Sequence, residues 1–170
     1  MSARGPSALS ASGSQEQKEL YALLIPLKGE RLLVPRMCVA EVIAFADTVR
    51  DRRDEHPDWF LGSIEWNGQR LPVVSFDDPQ LEERRSKRSR ARVVVFHAIT
   101  PELKGGYYGV LTQGFPQLVR VNPDVLGVDT EQPLPPRQPV LCRARMIHEY
   151  PLIPDVERIE RLIAEIPLRH

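Results

Sequence analysis

The sequence predicts an all-β protein made of two small β units and closed by one helix near its C-terminal end. Three observations predict it. Apolar runs of strand length recur around glycine turns, a charged stretch divides the recurrence in two, and helical periodicity is clear only in the last segment. At 170 residues the chain is long enough for one domain or two small ones, and it can bury a core without disulfides or metals.

The opening stretch "MSARGPSALSASGSQEQKE" is small and polar, so residues 1–16 are expected to form a disordered tail. "LYALLIPL", "KGE" and "RLLVP" then read as two apolar runs around a glycine turn, a hairpin. A short helical turn is expected in "RMCVAEV" and another in "PDWFL". "GSIEW", Asn67-Gly68 and "QRLPVVSF" form the best-defined hairpin, because Asn-Gly suits a type I′ turn whose two central residues need positive φ. Pro72 has no N–H for a sheet ladder, so its strand must be an edge there or carry a bulge.

"DDPQLEERRSKRSRAR" is polar and charged and is expected to be a solvated boundary between two halves. After it, "RVVVFHAI", "TPELKGG" and "YYGVLTQ" repeat the run, turn, run device, which puts Lys28-Gly29 and Lys104-Gly105 at corresponding points. "PQLVRV" and "PVLCRARMI" supply further strands around the proline-rich "EQPLPPRQP". In the final segment Val156, Ile159, Leu162, Ile163 and Ile166 fall on one helical face, with Glu157, Arg158, Glu160 and Arg161 mostly elsewhere. Pro154 suits a first helical position, and Asp155 and Glu157 suit the positive end of the dipole.

Composition narrows the function classes. Lysine plus arginine number 23 and aspartate plus glutamate 23, so no net charge draws the chain to nucleic acid or an acidic membrane surface. No apolar run approaches the roughly 20 residues of a membrane helix, and no signal-peptide core is present. A cytoplasmic protein without membrane insertion is expected. Cys38 and Cys142 have neither metal nor redox spacing and sit in apolar runs, which fits small buried residues in a reducing compartment. His56, His97, His148 and His170 are far apart and none has a second ligand at metal-site spacing. No nucleophile elbow, phosphate loop or zinc-protease motif occurs. The sequence therefore predicts a non-enzyme with no cofactor and no metal. The run "RRSKRSRAR", residues 84–92, leaves an alternative open, a barrel-type nucleic-acid-binding module. Asp77, Asp78, Glu82 and Glu83 just before it, and aromatics Trp59, Phe60 and Trp66 set among aliphatics, favour a solvated linker instead.

"YALLIPLKGERLLVPRMCVAEVI" followed by "PDWFLGSIEWNGQRLPVVSF" resembles the CheW-like coupling domain of bacterial chemosensory systems. Val39, Ala40, Glu41, Val42 and Ile43 match the family's V-x-E-V/I piece. Pro57, Leu61, Gly62, Ile64, Gly68, Pro72, Val73 and Val74 match its hairpin piece. "RVVVFHAI" and "YYGVLTQGFPQLVRV" are similar to the second barrel, and "EYPLIPDVERIERLI" to the closing strand and helix. The resemblance implies two intertwined SH3-like five-stranded barrels with a C-terminal helix. Within residues 17–166 the expected parts are a first barrel over about 17–82 joined by the helix 154–166, a linker over about 82–90 and a second barrel over about 91–153.

The resemblance also implies a role: an adaptor that binds a CheA-type histidine kinase and the cytoplasmic tip of methyl-accepting chemotaxis receptors. Val39, Glu41 and Gly62 carry over as candidate receptor-groove residues. Val39 could equally be core, Glu41 sits less easily there because a buried carboxylate needs a partner, and Gly62 could simply mark a position that tolerates no side chain. The family pattern has arginine before the turn glycine where this chain has Asn67, and Asp-Leu after the Pro-Val strand where it has Ser75-Phe76. Asparagine cannot make the forked contact of arginine. Asn67 is either turn chemistry or a sign of altered partner choice, as in an auxiliary CheW-like protein of a type IV pilus, or twitching, chemosensory system.

Overall fold

The computed structural model describes residues 19–45, 49, 51–77 and 90–167. The expected tail 1–16 and most of the linker 82–90 lie outside the described residues, as does most of the basic run. Strands β1 (Leu20–Pro26) and β2 (Arg31–Pro35) form the first hairpin, with Pro26 opposite Arg31. A 3-10 turn over Arg36–Cys38 leads straight into β3 (Val39–Ala44). The helical turn expected over residues 36–42 is thus cut to its first three residues, because β-branched Val39 and Val42 favour extended backbone. At "PDWFL" the expected helical turn is a single hydrogen-bonded turn, Phe60 N–H to Pro57 O at 3.0 Å, that runs into β4.

The second hairpin is β4 (Phe60–Trp66) and β5 (Gln69–Ser75), closed by Asn67 at φ 47° and Gly68 at φ 75°. Both central residues take the positive φ that a type I′ turn demands. Asn67→Val should therefore lower unfolding free energy by roughly 1–2 kcal/mol, since a β-branched residue is strained there. Asn67→Gly should stay within about 0.5 kcal/mol of the parent. Urea unfolding checks this, and a valine variant as stable as the parent would refute the strain. β5 has neighbours on both sides, but its ladder with β7 covers only Val73–Ser75, which leaves Pro72 on a stretch that owes no N–H there.

The second half follows with β6 (Arg92–His97), β7 (Tyr107–Thr112), β8 (Gln117–Val121), β9 (Gly127–Asp129), β10 (Val140–Arg145), β11 (Leu152–Pro154) and helix α1 (Val156–Ala164). In the β6–β7 connection the positive φ falls on Gly106, at 74°, and not on Gly105. Pro154 closes β11 and Asp155 caps the helix, its carboxylate accepting from Arg158 N–H at 3.1 Å. The helix starts two residues after the expected first position at Pro154, because β11 takes Pro154 and the cap claims Asp155.

Among the described residues the eleven strands make two sheets, ordered β8-β1-β2-β11-β10-β9 and β3-β6-β7-β5-β4. Neither sheet follows the sequence-order partition into 17–82 and 91–153. The first hairpin, β1–β2, sits with β8, β11 and β10 of the second half, and the hairpin β6–β7 sits with β3, β5 and β4 of the first. In both sheets the second strand of one hairpin runs parallel to the last strand of another, β2 beside β11 and β7 beside β5. The hairpin that supplies that last strand, β10–β11 or β4–β5, carries a bulge at a leucine in each case, Leu141 and Leu61. The two halves therefore exchange hairpins, the intertwining that the resemblance implies. One sheet has the five strands expected. The other has six, because Gly127–Asp129 adds a strand too short to show alternation in sequence.

Three apolar clusters explain the burial. Ile64, Leu71, Val73, Val93 and Val95 fill the five-stranded sheet, and Ala22, Leu24, Leu33, Val121 and Ala144 fill the six-stranded one. A larger core between the sheets gathers Ile25, Leu32, Val34, Phe60, Val74, Val94, Phe96 and Tyr108, and the helix docks there through Ile159, Ile163 and Ile166. Val93–Phe96 is a continuous apolar run because alternate residues enter different cores. Glu160, expected on the polar face, is fully buried. Its Oε1 accepts from the N–H groups of Ile99 and Thr100, each at 2.9 Å, and from Thr100 Oγ1 at 3.1 Å. Arg143 is buried as well. Its guanidinium takes Glu30 in a fork at 2.9 and 3.0 Å and donates to Tyr150 O at 2.9 Å.

Candidate docking surface

The V-x-E piece enters β3 directly from the 3-10 turn. Val39 pairs with Phe96 and Glu41 with Val95, so Ala40 is an extra residue that breaks the ladder. The bulge resets the alternation: Val39 and Val42 both pack on the core between the sheets, whereas Ile43 packs inside the five-stranded sheet. Val39 is half-buried and Glu41 is exposed. Val39 thus makes a core contact and keeps an accessible flank.

β3 and β4 are the two outer strands of the five-stranded sheet, yet the Trp66 indole Nε1–H donates to Glu41 Oε2 at 2.8 Å. A hydrogen bond between the outer strands requires the sheet to curl upon itself, which makes it a barrel. The Trp66 ring meets Tyr107 edge-on, with centroids 4.8 Å apart at 61°, and Tyr107 in turn lies 5.3 Å from the His97 ring. His97 is exposed, the sheet-face residue the sequence suggested. Asn67 and Gly68 are exposed in the turn next to Trp66. Glu41 and the Asn67 turn therefore share one end of the barrel.

Gly62 has a different place. It is buried in β4 at φ 117°, just after the bulge at Leu61. That backbone region is nearly closed to residues with a Cβ, so Gly62 shapes the strand and offers no side chain to a partner. Ser75 and Phe76, the other departure from the family pattern, are both buried. Trp66 and Tyr107 are the residues that sequence reading missed. The signal was available in part, since a tryptophan N–H beside a tight turn generally finds an acceptor.

Beneath Val39 the groups are protected rather than activated. Burial pushes the Cys38 thiol up, which makes it a poorer nucleophile. Burial, then the nearby Glu160 carboxylate and Cys38, push the Tyr108 phenol far up and hold it neutral. Cys38 and Cys142 are half-buried and unbonded to each other. Among the described residues no group of three His, Cys, Asp or Glu side chains is placed to hold a metal ion. Nor is any helix long and apolar enough to cross a membrane. Of the basic run, residues 90–92 are described, and the Arg92 guanidinium lies over the Phe115 ring at 4.7 Å.

A family model described as the CheW-like domain matches residues 22–161. Among solved structures, the fold is similar to that of the scaffolding protein TtCheW from Thermoanaerobacter tengcongensis, at 15% identity and a TM-score of 0.60, over 81% of this chain and 89% of that one. At that identity the likeness is one of fold. No curated protein sequence matches the chain significantly.

Proposed function

The chain belongs to the CheW-like domain family, and on that premise we propose that it is a non-enzymatic adaptor of a bacterial chemosensory array. It couples methyl-accepting chemoreceptors to a CheA-type histidine kinase in the cytoplasm. The observation that carries this reading is the family match together with an intact V-x-E piece lying open at the end of the five-stranded barrel. An adaptor of this kind does no chemistry. It holds two partners at once, and any difference in its affinity for the kinase's conformations biases their populations. Single contacts of this type are modest and gain strength by repetition in an array. The replacement of the family arginine by Asn67 favours an auxiliary adaptor with altered partner choice, serving type IV pilus-driven twitching.

The test is affinity capture with the purified full chain from lysate of the bacterium that carries it, at low and high salt. Recovery of a CheA-type kinase or a methyl-accepting receptor supports the adaptor. Recovery of neither overturns it, and capture of nucleic acid alone that is lost at high salt would move the function to residues 84–92. Val39→Arg should weaken capture roughly tenfold or more, because it puts a charge into a half-buried apolar contact. Its stem can snorkel outward, so circular dichroism should be unchanged. Unchanged capture by a folded Val39→Arg protein would exclude this groove.

A further inference from the structure

The Glu41–Trp66 pair differs in kind from an ion pair. The indole N–H is a neutral donor, so it fixes the carboxylate in place without cancelling its charge. Trp66 is itself held, half-buried against the barrel core and edge-on to Tyr107 at 4.8 Å. Glu41 is exposed, and among the described residues it forms no ion pair. Arg70, the cation of the same hairpin, is taken by Asp51 at 2.7 Å. A carboxylate offers about four acceptor positions, and one indole uses one of them. The remaining acceptor positions belong to a negative charge that cannot swing away from the surface.

We propose that Trp66 is a specificity-determining residue of this docking surface. By holding Glu41 through a neutral N–H it presents a fixed carboxylate whose charge is left for the partner, so the receptor segment that docks there carries a lysine or arginine opposite Glu41. An arginine in the role of Trp66 would have neutralised the same carboxylate and removed that preference. The exchange of donor thus changes which partner is chosen while leaving the barrel closed. The inference rests on the adaptor reading above and adds the chemistry of its receptor contact.

The experiment measures equilibrium affinity of the purified full chain for a cytoplasmic fragment of a methyl-accepting receptor from the same bacterium, at low and high salt. Glu41→Gln keeps an acceptor for the indole and loses the charge. It should bind about tenfold more weakly at low salt and lose most of the salt dependence. Trp66→Phe keeps the ring and loses the N–H. It should bind about threefold more weakly with the salt dependence kept, because the charge is present but free to move. A lysine or arginine to glutamate change in the fragment should abolish binding to the parent and be rescued by Glu41→Lys. If Glu41→Gln matches the parent in affinity and salt dependence, the charge preference is overturned while the adaptor stands. If Trp66→Phe matches the parent, the role of Trp66 is overturned. If the parent binds neither fragment nor kinase, the adaptor reading falls and takes this inference with it.

Discussion

Glu160→Ala should lower the free energy of unfolding by roughly 3 kcal/mol, because it strands part-buried backbone donors and not merely a side chain. Glu160 is fully buried, and its Oε1 satisfies the N–H groups of Ile99 and Thr100 and the Thr100 hydroxyl. Alanine leaves two amides without acceptors in a site where each costs about 1–3 kcal/mol. For a chain of this size that corresponds to a fall of roughly 6–12 °C in Tm. Glu160→Gln retains an acceptor oxygen and should lose much less, about 1 kcal/mol. Thermal and urea unfolding followed by circular dichroism compare the three proteins. An alanine variant within about 0.5 kcal/mol of the parent would mean that the helix does not anchor the start of the β6–β7 connection.

The second large effect is expected at Glu30. Arg143 is buried, with 6% of its side chain exposed, and its partner Glu30 is 33% exposed. The hydrogen bonds that Arg143 donates to Glu30 raise its pKa above the ordinary value, and burial opposes them. Arginine's high intrinsic pKa keeps the guanidinium charged after Glu30 is removed. Glu30→Ala should cost about 2–3 kcal/mol, less than a fully enclosed pair because water reaches the glutamate side. Replacing both residues by methionine should cost less than Glu30→Ala alone, since no charge is then left uncompensated. Chemical unfolding of the single and double variants gives the coupling. Additive losses would show that the fork contributes nothing beyond its parts.

What could be read from sequence was what is local. The Asn67-Gly68 turn follows from φ requirements of two adjacent residues, and the two glycine-turn hairpins follow from apolar runs a few residues apart. The V-x-E piece identified Val39 and Glu41, but the bulge at Ala40, which turns one inward and leaves the other outward, depends on pairing with Val95 and Phe96 more than fifty residues away. Glu160 reads as one more charge on a helix. Its spacing from Val156 and Ile163 matches the buried face, yet only the amides at Ile99 and Thr100 make that burial tolerable, and they are distant in sequence. The exchange of hairpins was legible only through the family resemblance, for the same reason. Each hairpin looks self-sufficient, and the choice of neighbour is made by which apolar faces fit together.

The exchange has a mechanical consequence. The path from β2 to β3 is only the turn Arg36–Cys38, so Val39, the residue proposed for docking, hangs directly from a strand of the other barrel. A pull or twist applied there is borne by ladders in both sheets rather than by a flexible tether between two bodies. Close-packed interiors transmit strain with little yielding. A scaffold wired in this way behaves as a stiff strut, and displacement imposed at one face arrives at the other nearly undiminished.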